Sequence, residues 1–526
     1  MSGPARAGLS RQQEIMVVAP PEESFSPEAR HWRIPFAIVS TAWRRRHCTA
    51  VLESLRVDGI EIDTAAIKFQ HGNAGQLPVV EAGRFFPAAL LGEWDSLSRA
   101  SGGGARLPAL LQHYCEALFK QITQKVELFP ELNQVANELI IPAGRLNFKA
   151  NRSYRLEAYF RVFPGGEKCG FTLEATAANL QKQAGNWVAG ELQLHSTYSD
   201  GRRSPVEIRE LFRERGYDFV YLTDGLHTGK LPADRWQEYQ QELLRASDSR
   251  TCLFPGAETA VGSVEQEQGH LLIYGANTGI AGLEEHTRAP QAMLDAVLAC
   301  DPAAPSSAAI AHPLLGFYPW KNFKVTGHSG MELFSGPAQL LFNLGSGPSR
   351  LWREEMARRA GSAASSQPFP SPRAGSDWHG YWFEPLRQYI TWVNVEPGWD
   401  GLAYSERKAA VDRALYEGRT VISRRGSLGW FTLNNHRIGD IARGIPAGTT
   451  LDVQIHYRPA GKGAVDIYLY RDNLAETVFK ATATLEAGAI FNRAFTAIFP
   501  GGLHFYWLYV QGADHVYSSP IFVSED

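Results

Sequence analysis

Residues 191–201 read ELQLHSTYSDG, and this stretch decides both the expected fold and the expected chemistry. Apolar residues alternate just before it, so we expect His195 to lie at the end of a β-strand. Gln193 stands two residues earlier and therefore shares a strand face with His195. Asp200 follows within a few residues. A histidine and a carboxylate at one strand end are side chains that bind metal ions or transfer protons.

Further short apolar runs follow between residues 219 and 380, and helical patterns at 204–216 and 290–300 lie between them. This alternation predicts an α/β fold with a parallel sheet or barrel. Residue types that bind metals stand at or beside the ends of the runs. They are His195, Asp200, Asp224, Glu258, His270, His312, Asp377 and His379.

In parallel α/β barrels the carboxyl ends of the strands meet at one face, where active sites form. One histidine near a strand end is commonly structural, and one aspartate after a strand is commonly a helix cap or turn residue. Eight such residues at successive strand ends instead predict a site for divalent cations, because carboxylates and imidazoles together suit these ions.

The order LHST–YSDG, YLTD, PGAE, GHLLIYGA, AHP and GSDWH, spread over residues 194–379, resembles the polymerase and histidinol phosphatase (PHP) superfamily. It is most similar to the carbaryl-hydrolase-like (CehA/McbA) branch, as are ALYEGRTVIS and the closing YSSPIFV. The resemblance covers roughly residues 140–526. It implies a distorted seven-stranded (β/α) barrel that binds up to three metal ions.

The resemblance also assigns ligands. The first ion would use Gln193, His195, Glu258 and Asp377, and the third would use Glu258, His270 and His312. The second would use Asp200, Gly225 and His379. We therefore expect His195, Glu258, His270, His312 and Asp377 to bind metal.

Two positions depart from the family pattern. Gln193 stands where a histidine is expected, and its neutral amide oxygen is a weak ligand for zinc or manganese. Gly225 stands where the histidine of TDH is expected and supplies no ligand, although His227 lies two residues later and either reaches the site or lies on a surface loop. These departures predict one or two divalent ions (Zn, Mn or Fe) rather than three.

The remaining candidates have other roles. Asp200, His379 and His227 are candidates for general acid–base catalysis. Asp224 is a candidate for orienting a metal-binding histidine from behind, and Gln193 for weak ligation. Substrate contacts are assigned to Arg203, Arg373 and Trp378, with a solvated helix start and ordinary packing as the alternatives for Arg203 and Trp378.

Five regions are expected along the chain: a flexible tail at 1–30, an α+β region of unassigned role at 31–130, a β-rich segment at 131–185, the metallohydrolase barrel at 186–424 and a β-sandwich at 425–526. Within the second region, helices are predicted for residues 45–59 and 107–129.

The chain has 526 residues, 44% of them apolar, and a net charge of -3. This balance gives no support to nucleic-acid binding, and no run of about 18 apolar residues predicts a membrane span. Five scattered cysteines and the absence of a signal-peptide pattern at the start predict a cytoplasmic protein. The oligomeric state stays open.

The sequence therefore predicts a metal-dependent hydrolase with an altered metal site and a small-molecule substrate. Metal-activated water would cleave a phosphoester or a carboxylic or carbamic ester. The alternative is a degenerate barrel that serves as a binding or scaffolding protein.

Overall fold

The computed structural model describes most of the chain, with gaps. It covers residues 15–18, 22–27, 29–40, 47–69, 76–81, 137–145, 148–149, 152–163, 166–177, 180, 186–226, 231–263, 266–276, 280, 283, 289–300, 306–315, 319–336, 347–361, 369–380, 389–474 and 476–526. The chain divides into two compact units. Residues 1–23, 29–147 and 153–176 form the first, and residues 24–28, 148–152 and 177–526 form the second.

The first unit is built around a β-sheet. The strands described up to residue 177 are β1 (Ile15–Val18), β2 (Glu22–Phe25), β3 (His31–Ser40), β4 (His47–Val57), β5 (Ile60–Ile62), β6 (Lys68–Phe69), β7 (Gln76–Glu81), β8 (Asn137–Pro142), β9 (Ser153–Phe163) and β10 (Glu167–Ala177). The sheet order is β10-β9-β4-β7-β3-β8-β6, with β1 beside β3 and β5 beside β4. Two 3₁₀ helices, Thr64–Ala66 and Ala143–Arg145, complete the unit.

This unit differs from the sequence predictions. Strands β1 and β2 lie in the expected tail, and β1 pairs antiparallel with β3. The predicted helix at 45–59 is wrong, because β4 occupies it and pairs with β9. Along β4, Ala50 is buried and Val51 is exposed, the alternation of a strand. The predicted helix at 107–129 lies outside the described residues.

The expected regions 31–130 and 131–185 are not separate, because their strands alternate in one sheet. β3 pairs with β8, and β4 pairs with β9, so each pair joins one strand from before residue 130 with one from after it. Hydrophobic periodicity predicts each strand alone and carries no information about such distant partners.

The second unit begins with the α/β region. Its strands are β11 (Trp187–Glu191), β12 (Phe219–Gly225), β13 (Cys252–Ser263), β14 (Gln266–Tyr274), β15 (Ser307–Ile310), β16 (Gly330–Ser335), β17 (Ser371–Gly375), β18 (Ile390–Asn394) and β19 (Thr420–Ser423). Its described helices are α1 (Pro205–Glu214), α2 (Trp236–Ala246), α3 (Pro290–Leu298), α4 (Gly347–Gly361) and α5 (Tyr404–Tyr416), with 3₁₀ turns at Ala233–Arg235 and Trp399–Gly401.

Local sequence explains where α1 begins and which face it buries. The Ser204 side chain accepts from the backbone N–H of Glu207, and the Glu207 carboxylate accepts from the backbone N–H of Ser204, a reciprocal cap. Pro205 occupies the first turn, where its missing N–H costs nothing. Ile208 and Phe212, four residues apart, are buried on one face. The helices predicted within 204–216 and 290–300 are both confirmed.

The strands of this region form a mixed sheet in the order β17-β16-β15-β14-β13-β12-β11. Neighbours are parallel except β14, which is antiparallel to both β13 and β15. The two ends of this order meet at a bridge between Leu194 and Trp378, just after β11 and β17. Because the sheet also continues from β11 into β18, the closed seven-stranded barrel stays a prediction, whereas the mixed α/β class is confirmed.

The carboxyl-terminal strands are β20 (Leu428–Leu433), β21 (His436–Arg437), β22 (Ile441–Ala442), β23 (Thr450–Arg458), β24 (Gly463–Arg471), β25 (Glu476–Leu485), β26 (Phe491–Ile498), β27 (Leu503–Gly512), β28 (Val516–Ser518) and β29 (Ile521–Ser524). They lie in two sheets, and the sandwich stays a prediction. One sheet is β21-β20-β23-β26, and the other continues the mixed sheet of the α/β region through the pairing of β19 with β28. The expected boundary at residue 424 therefore separates no compact units, because backbone pairing crosses it.

None of the helices in the described part of the chain has the length and apolar character that a membrane crossing requires.

Candidate metal centre

One buried carboxylate, Glu258 on β13, lies at the middle of three histidines. Its Oε1 lies 2.8 Å from His270 Nδ1 and 3.1 Å from His312 Nε2, and its Oε2 lies 3.2 Å from His195 Nε2. All four side chains are buried. The structure thus brings together side chains from four places that the sequence predicted to converge.

Asp377 completes this inner group. Its Oδ1 lies 3.3 Å from His195 Nε2, and its backbone N–H donates to the carbonyl of Gln193 at 2.8 Å. The side-chain amide of Gln193 donates to Glu258 Oε1 at 3.2 Å. Gln193 therefore reaches the site where a histidine was expected, but with an N–H group aimed at the carboxylate.

Asp200 and His379 form a more open outer pair. Asp200 Oδ2 lies 3.7 Å from His379 Nε2, and Asp200 Oδ1 lies 3.4 Å from His195 Nδ1. The rings of His195 and His379 stack at 4.2 Å with an angle of 7° between their planes. His379 Nδ1 lies 3.0 Å from the Asp377 carbonyl and donates to it. The outer pair is thus held to the inner group through His195 and Asp377.

Two inner residues hold unusual backbone conformations. His312 has a φ of 24° and Asp377 a φ of 49°, in the left-handed region that non-glycine residues rarely occupy. The backbone N–H of His312 donates to Glu332 Oε2 at 2.9 Å. The backbone hydrogen bond from Asp377 to the Gln193 carbonyl holds Asp377 in the same way. Strained conformations of this kind concentrate at functional sites, where the surrounding structure enforces them.

Two opposing effects set the pKa values of the site residues: burial disfavours their charged forms, and neighbouring opposite charges favour them. Burial opposes charging of His195, but contacts with Asp200, Asp377 and Glu258 outweigh it and raise its pKa well above the usual range. Burial opposes charging of His270 too, yet Glu258 and Glu267 raise its pKa to about 10. In turn, burial acts against ionisation of Glu258, and the facing histidines hold its pKa well below the usual range. The centre therefore favours an ionised Glu258 beside cationic groups.

Asp224 was expected to orient a histidine, and the structure gives it a network of hydroxyl donors. It accepts from the Ser196 hydroxyl at 2.7 Å, the Ser199 hydroxyl at 2.6 Å and the Tyr239 hydroxyl at 2.9 Å. Ser199 Oγ also lies 3.4 Å from His195 Nδ1. Asp224 therefore reaches His195 through Ser199 and fixes the loop that follows β11.

The predicted substrate contacts differ in their surroundings. Arg203 is exposed near the outer pair, 3.4 Å from Glu207, while the neighbouring Arg202 donates its backbone N–H to the His379 carbonyl at 2.8 Å. Trp378 is packed in the hydrophobic core, and its carbonyl accepts from the His195 N–H. His227 lies outside the described residues. Arg203 therefore keeps its predicted role as a proposal, and Trp378 has the packing role that was its alternative.

Arg373 is fully buried, and a substrate role for it is not supported. Its guanidinium donates to the hydroxyls of Ser307 at 2.8 Å and Ser329 at 3.1 Å and to the Leu415 carbonyl at 2.9 Å. A Cβ on Gly330 would lie 2.1 Å from its Nε, so this glycine leaves the space the guanidinium fills. Its position next to GSDWH in the sequence suggested a site residue, but its guanidinium is occupied by Ser307, Ser329 and the Leu415 carbonyl.

Three glutamates at the site were missed. Glu267 Oε1 lies 2.7 Å from His270 Nε2, and Glu332 accepts from the His312 backbone. Glu191 Oε1 accepts the backbone N–H groups of Leu192, Gln193 and Ser376, which ties the ends of β11 and β17 together. Glu191 stands in the quoted stretch and Glu332 inside a strand run, so charged residues within otherwise buried strands were the available signal.

The donor set fits a divalent metal ion. His195 Nε2 lies at contact distance from two carboxylate oxygens yet has no hydrogen-bond partner among the described residues. Ligand atoms that surround one ion point at the ion rather than at each other. The position of His195 Nε2 beside the two carboxylate oxygens, without a directed hydrogen bond to either, fits this arrangement. Glu258 with His270 and His312, and Glu258 with His195 and Asp377, each bring three ligand atoms within 4.8 Å of one another. Imidazole and carboxylate ligands suit zinc, manganese or iron.

The sequence matches no protein-family model and no curated protein. Solved structures that it resembles include a two-domain protein from Bacteroides vulgatus that contains a predicted PHP-like metal-dependent phosphoesterase, at a TM-score of 0.33 and 11% identity, covering 62% of this chain and 93% of that one. PsfC from Pseudomonas syringae gives a TM-score of 0.29 and 13% identity over 40% and 84% of the two chains. An amidohydrolase from Chromobacterium violaceum gives 0.21 and 17% over 36% and 87%. At these values, the function of this chain rests on its own side chains.

Proposed function

We propose that this protein is a metal-dependent hydrolase of the PHP type that cleaves an ester bond of a small molecule. The observation that carries the proposal is the convergence of His195, His270 and His312 on the carboxylate of Glu258, at 2.8 to 3.2 Å. Buried carboxylates with three imidazole neighbours are expensive to assemble without a ligand, because each group loses its hydration.

The inner residues would hold one or two ions, with Glu258 shared between His270 and His312 on one side and His195 and Asp377 on the other. A bound divalent ion lowers the pKa of a coordinated water and polarises the ester oxygen. Gln193 supports the arrangement by donating to Glu258 and so restrains the carboxylate that both halves share.

Proton transfer is assigned to the outer pair. His379 donates from Nδ1 to the Asp377 carbonyl, which directs Nε2 toward Asp200. A proton taken up at Nε2 is stabilised by the Asp200 carboxylate. Both side chains retain some exposure to solvent, so the proton can then leave to bulk water. His379 is thus the general acid or base, and Asp200 supports its charged form.

The ester class is assigned from charge. Arg203 is an exposed cation beside the outer pair, and a guanidinium suits an anionic phosphoester. Carboxylic and carbamic esters, which the sequence resemblance also implies, lack that charge. We therefore place a phosphoester first and the neutral esters second.

The test uses protein purified without chelator. Metal content is measured by elemental analysis, and turnover is measured on 4-nitrophenyl phosphate, bis(4-nitrophenyl) phosphate, 4-nitrophenyl acetate and a 4-nitrophenyl carbamate. Bound metal with chelator-sensitive turnover is expected. Lack of both metal and turnover on every member contradicts the proposal.

Matched variants separate the two ester classes. Arg203→Gln is expected to raise KM for the phosphate substrates and to leave the acetate unchanged, because only the first carries a charge for the guanidinium to bind. Arg209→Gln, a nearby helix arginine paired with Glu210 and Asp248, is the control. An equal effect of Arg203→Gln on all substrates would remove the assignment to phosphoesters.

The second candidate is a binding protein built on the same fold. Gln193 in place of a histidine and Gly225 in place of the TDH histidine favour it, because both departures remove metal ligands. In that case, the protein binds metal or ligand tightly but turns over no ester. The substrate panel therefore distinguishes the two functions directly.

A further inference from the structure

Glu267 on β14 faces the side of His270 that points away from Glu258. Its Oε1 lies 2.7 Å from His270 Nε2 without hydrogen-bond alignment, while His270 Nδ1 is hydrogen-bonded to Glu258 Oε1 at 2.8 Å. The imidazole thus lies between two carboxylates, one deeply buried and one closer to solvent. His312 Nε2, 3.1 Å from the same Glu258 oxygen, marks the inner side as the side of the ligand cluster.

This placement requires a local break in the strand. Residues three apart on a regular strand point to opposite faces, so Glu267 and His270 would not meet. Here Ala260 pairs with His270 and Gly262 pairs with Glu267, so β14 contains one more residue than β13 between these pairs. This bulge turns Glu267 to the face of His270.

Glycine and a packed tryptophan fix the bulge. Gly269 has a φ of 113°, and a Cβ at this position would lie 2.9 Å from the backbone of Trp320. The backbone N–H of Lys321 donates to the Gln268 carbonyl at 3.1 Å, and Lys321 Nζ donates to the Glu267 carbonyl at 2.5 Å. The segment carrying Glu267 is therefore held by residues 320–321.

We propose that Glu267 is a positioning residue for the metal centre: an ion bound at His270 Nδ1, beside Glu258 and His312, would displace the proton there, and the proton that stays on Nε2 would be donated to Glu267. A histidine that binds metal commonly donates its other ring N–H to a carboxylate, which fixes the tautomer and the ring orientation and strengthens the ligand. This inference rests on the proposed function and adds a residue that neither strand ends nor family motifs indicated.

The affinity for Zn²⁺ alone tests the inference. It is measured by competition with a chromophoric chelator in the full-length wild type, Glu267→Gln and Glu267→Ala, with Glu210→Gln as the control. Glu210 is an exposed helix residue paired with Arg209. We expect a Kd raised about 10-fold for Glu267→Gln and about 100-fold for Glu267→Ala, the range found for such partners. Glu210→Gln should bind as the wild type does.

A second readout reports on the tautomer itself. In ¹⁵N-labelled protein loaded with Zn²⁺, His270 should carry its proton on Nε2 in the wild type, and this signature should be lost in Glu267→Ala. If Glu267→Ala does not fold, Glu267→Asp replaces it, with an intermediate Kd expected. A wild type that binds no Zn²⁺ removes the proposed function. A wild type that binds and a Glu267→Gln that binds equally well remove only the role of Glu267.

Discussion

The inner group and the outer pair of the candidate centre are built differently. Glu258 is 4% exposed, and its contacts with His270, His312 and His195 span 2.8 to 3.2 Å. Asp200 and His379 are 26% and 16% exposed and lie 3.7 Å apart. The inner side chains therefore interact in a weakly screened environment, whereas the outer ones exchange with water.

The backbone shows the same contrast. His312 and Asp377 hold positive φ angles that neighbouring hydrogen bonds enforce, which fixes the positions of the inner side chains. The outer residues lie on the loops that follow β11 and β17. A hydrogen bond from the backbone N–H of Arg202 to the His379 carbonyl joins these loops. This contrast supports the proposed assignment, in which the inner group would bind the metal and the outer pair would transfer protons.

The largest effect is expected from Glu258→Gln. This change removes the negative charge shared by three histidines, so metal binding should be lost and turnover should fall by roughly 10³-fold or more, as for a residue on which a whole catalytic unit depends. Metal content and kcat/KM are the measurements. Circular dichroism checks that the variant is folded, and Glu210→Gln serves as the exposed control. A folded Glu258→Gln that retains metal and activity would show that the inner group is not the metal centre.

The outer pair should separate chemistry from binding. His379→Gln is expected to lower kcat by about 10²-fold while the metal content stays unchanged, because general acid–base catalysis contributes on this order. Asp200→Asn should lower kcat less than His379→Gln does and should narrow the pH range of activity. In the proposed mechanism, Asp200 transfers no proton itself and only stabilises the protonated ring of His379. The pH profile of kcat and elemental analysis check both. Loss of metal in His379→Gln would mean that His379 binds metal as the inner group does, and it would contradict the separate role proposed for the outer pair.

Much of the centre could be predicted from the sequence because metal-binding residue types stand at strand ends. Parallel strands bring their carboxyl ends to one face, and His195, Glu258, His312 and Asp377 indeed lie together. Glu267 could not be predicted, since a regular strand turns it away from His270 and a bulge has no reliable sequence signal. The substrate role predicted for Arg373 is not supported. Its neighbours in the sequence lie at the site, but its own side chain is fully buried against other residues.

The helices of the α/β region were predictable from the sequence, and the strand pairings were less so. Capping and periodicity indicate α1, which the structure confirms at Pro205–Glu214. The pairings of β3 with β8 and of β4 with β9 join segments that are distant in the sequence, so hydrophobic periodicity does not reveal them. Residues 45–59 contain apolar residues at spacings that fit both a helix and a bulged strand, and pairing with β9 decided for the strand.

Gln193→His introduces the histidine that the resemblance to the PHP superfamily implies at this position and tests the inner group directly. Gln193 is fully buried, and its Oε1 has no hydrogen-bond partner among the described residues, so the wild-type amide is poorly satisfied. An imidazole at this position would add a ligand beside His195, and we expect Zn²⁺ to bind roughly 10-fold more tightly, about 1.4 kcal/mol. Chelator competition measures this, with Gln193→Asn as the control for size. Weaker Zn²⁺ binding in Gln193→His would mean that the site requires the hydrogen bond from the Gln193 side-chain amide to Glu258.

The last effect, on stability rather than on metal binding or turnover, is expected beneath the inner group, at Glu191. Burial raises the pKa of Glu191 to about 8, although the backbone N–H groups of Ser376, Gln193 and Leu192 oppose this. Because the folded pKa lies above the unfolded one, the associated stability is complete below about pH 4.5 and is lost as pH rises through 8. Glu191→Gln keeps the accepting oxygen and cannot ionise, so its free energy of unfolding should change less between pH 5 and pH 8.5 than that of the wild type. The difference should be on the order of a few kcal/mol, since one pKa unit corresponds to about 1.4 kcal/mol. Urea denaturation at both pH values measures it, and identical pH slopes in the two proteins would show that Glu191 is ionised in the folded state throughout this range.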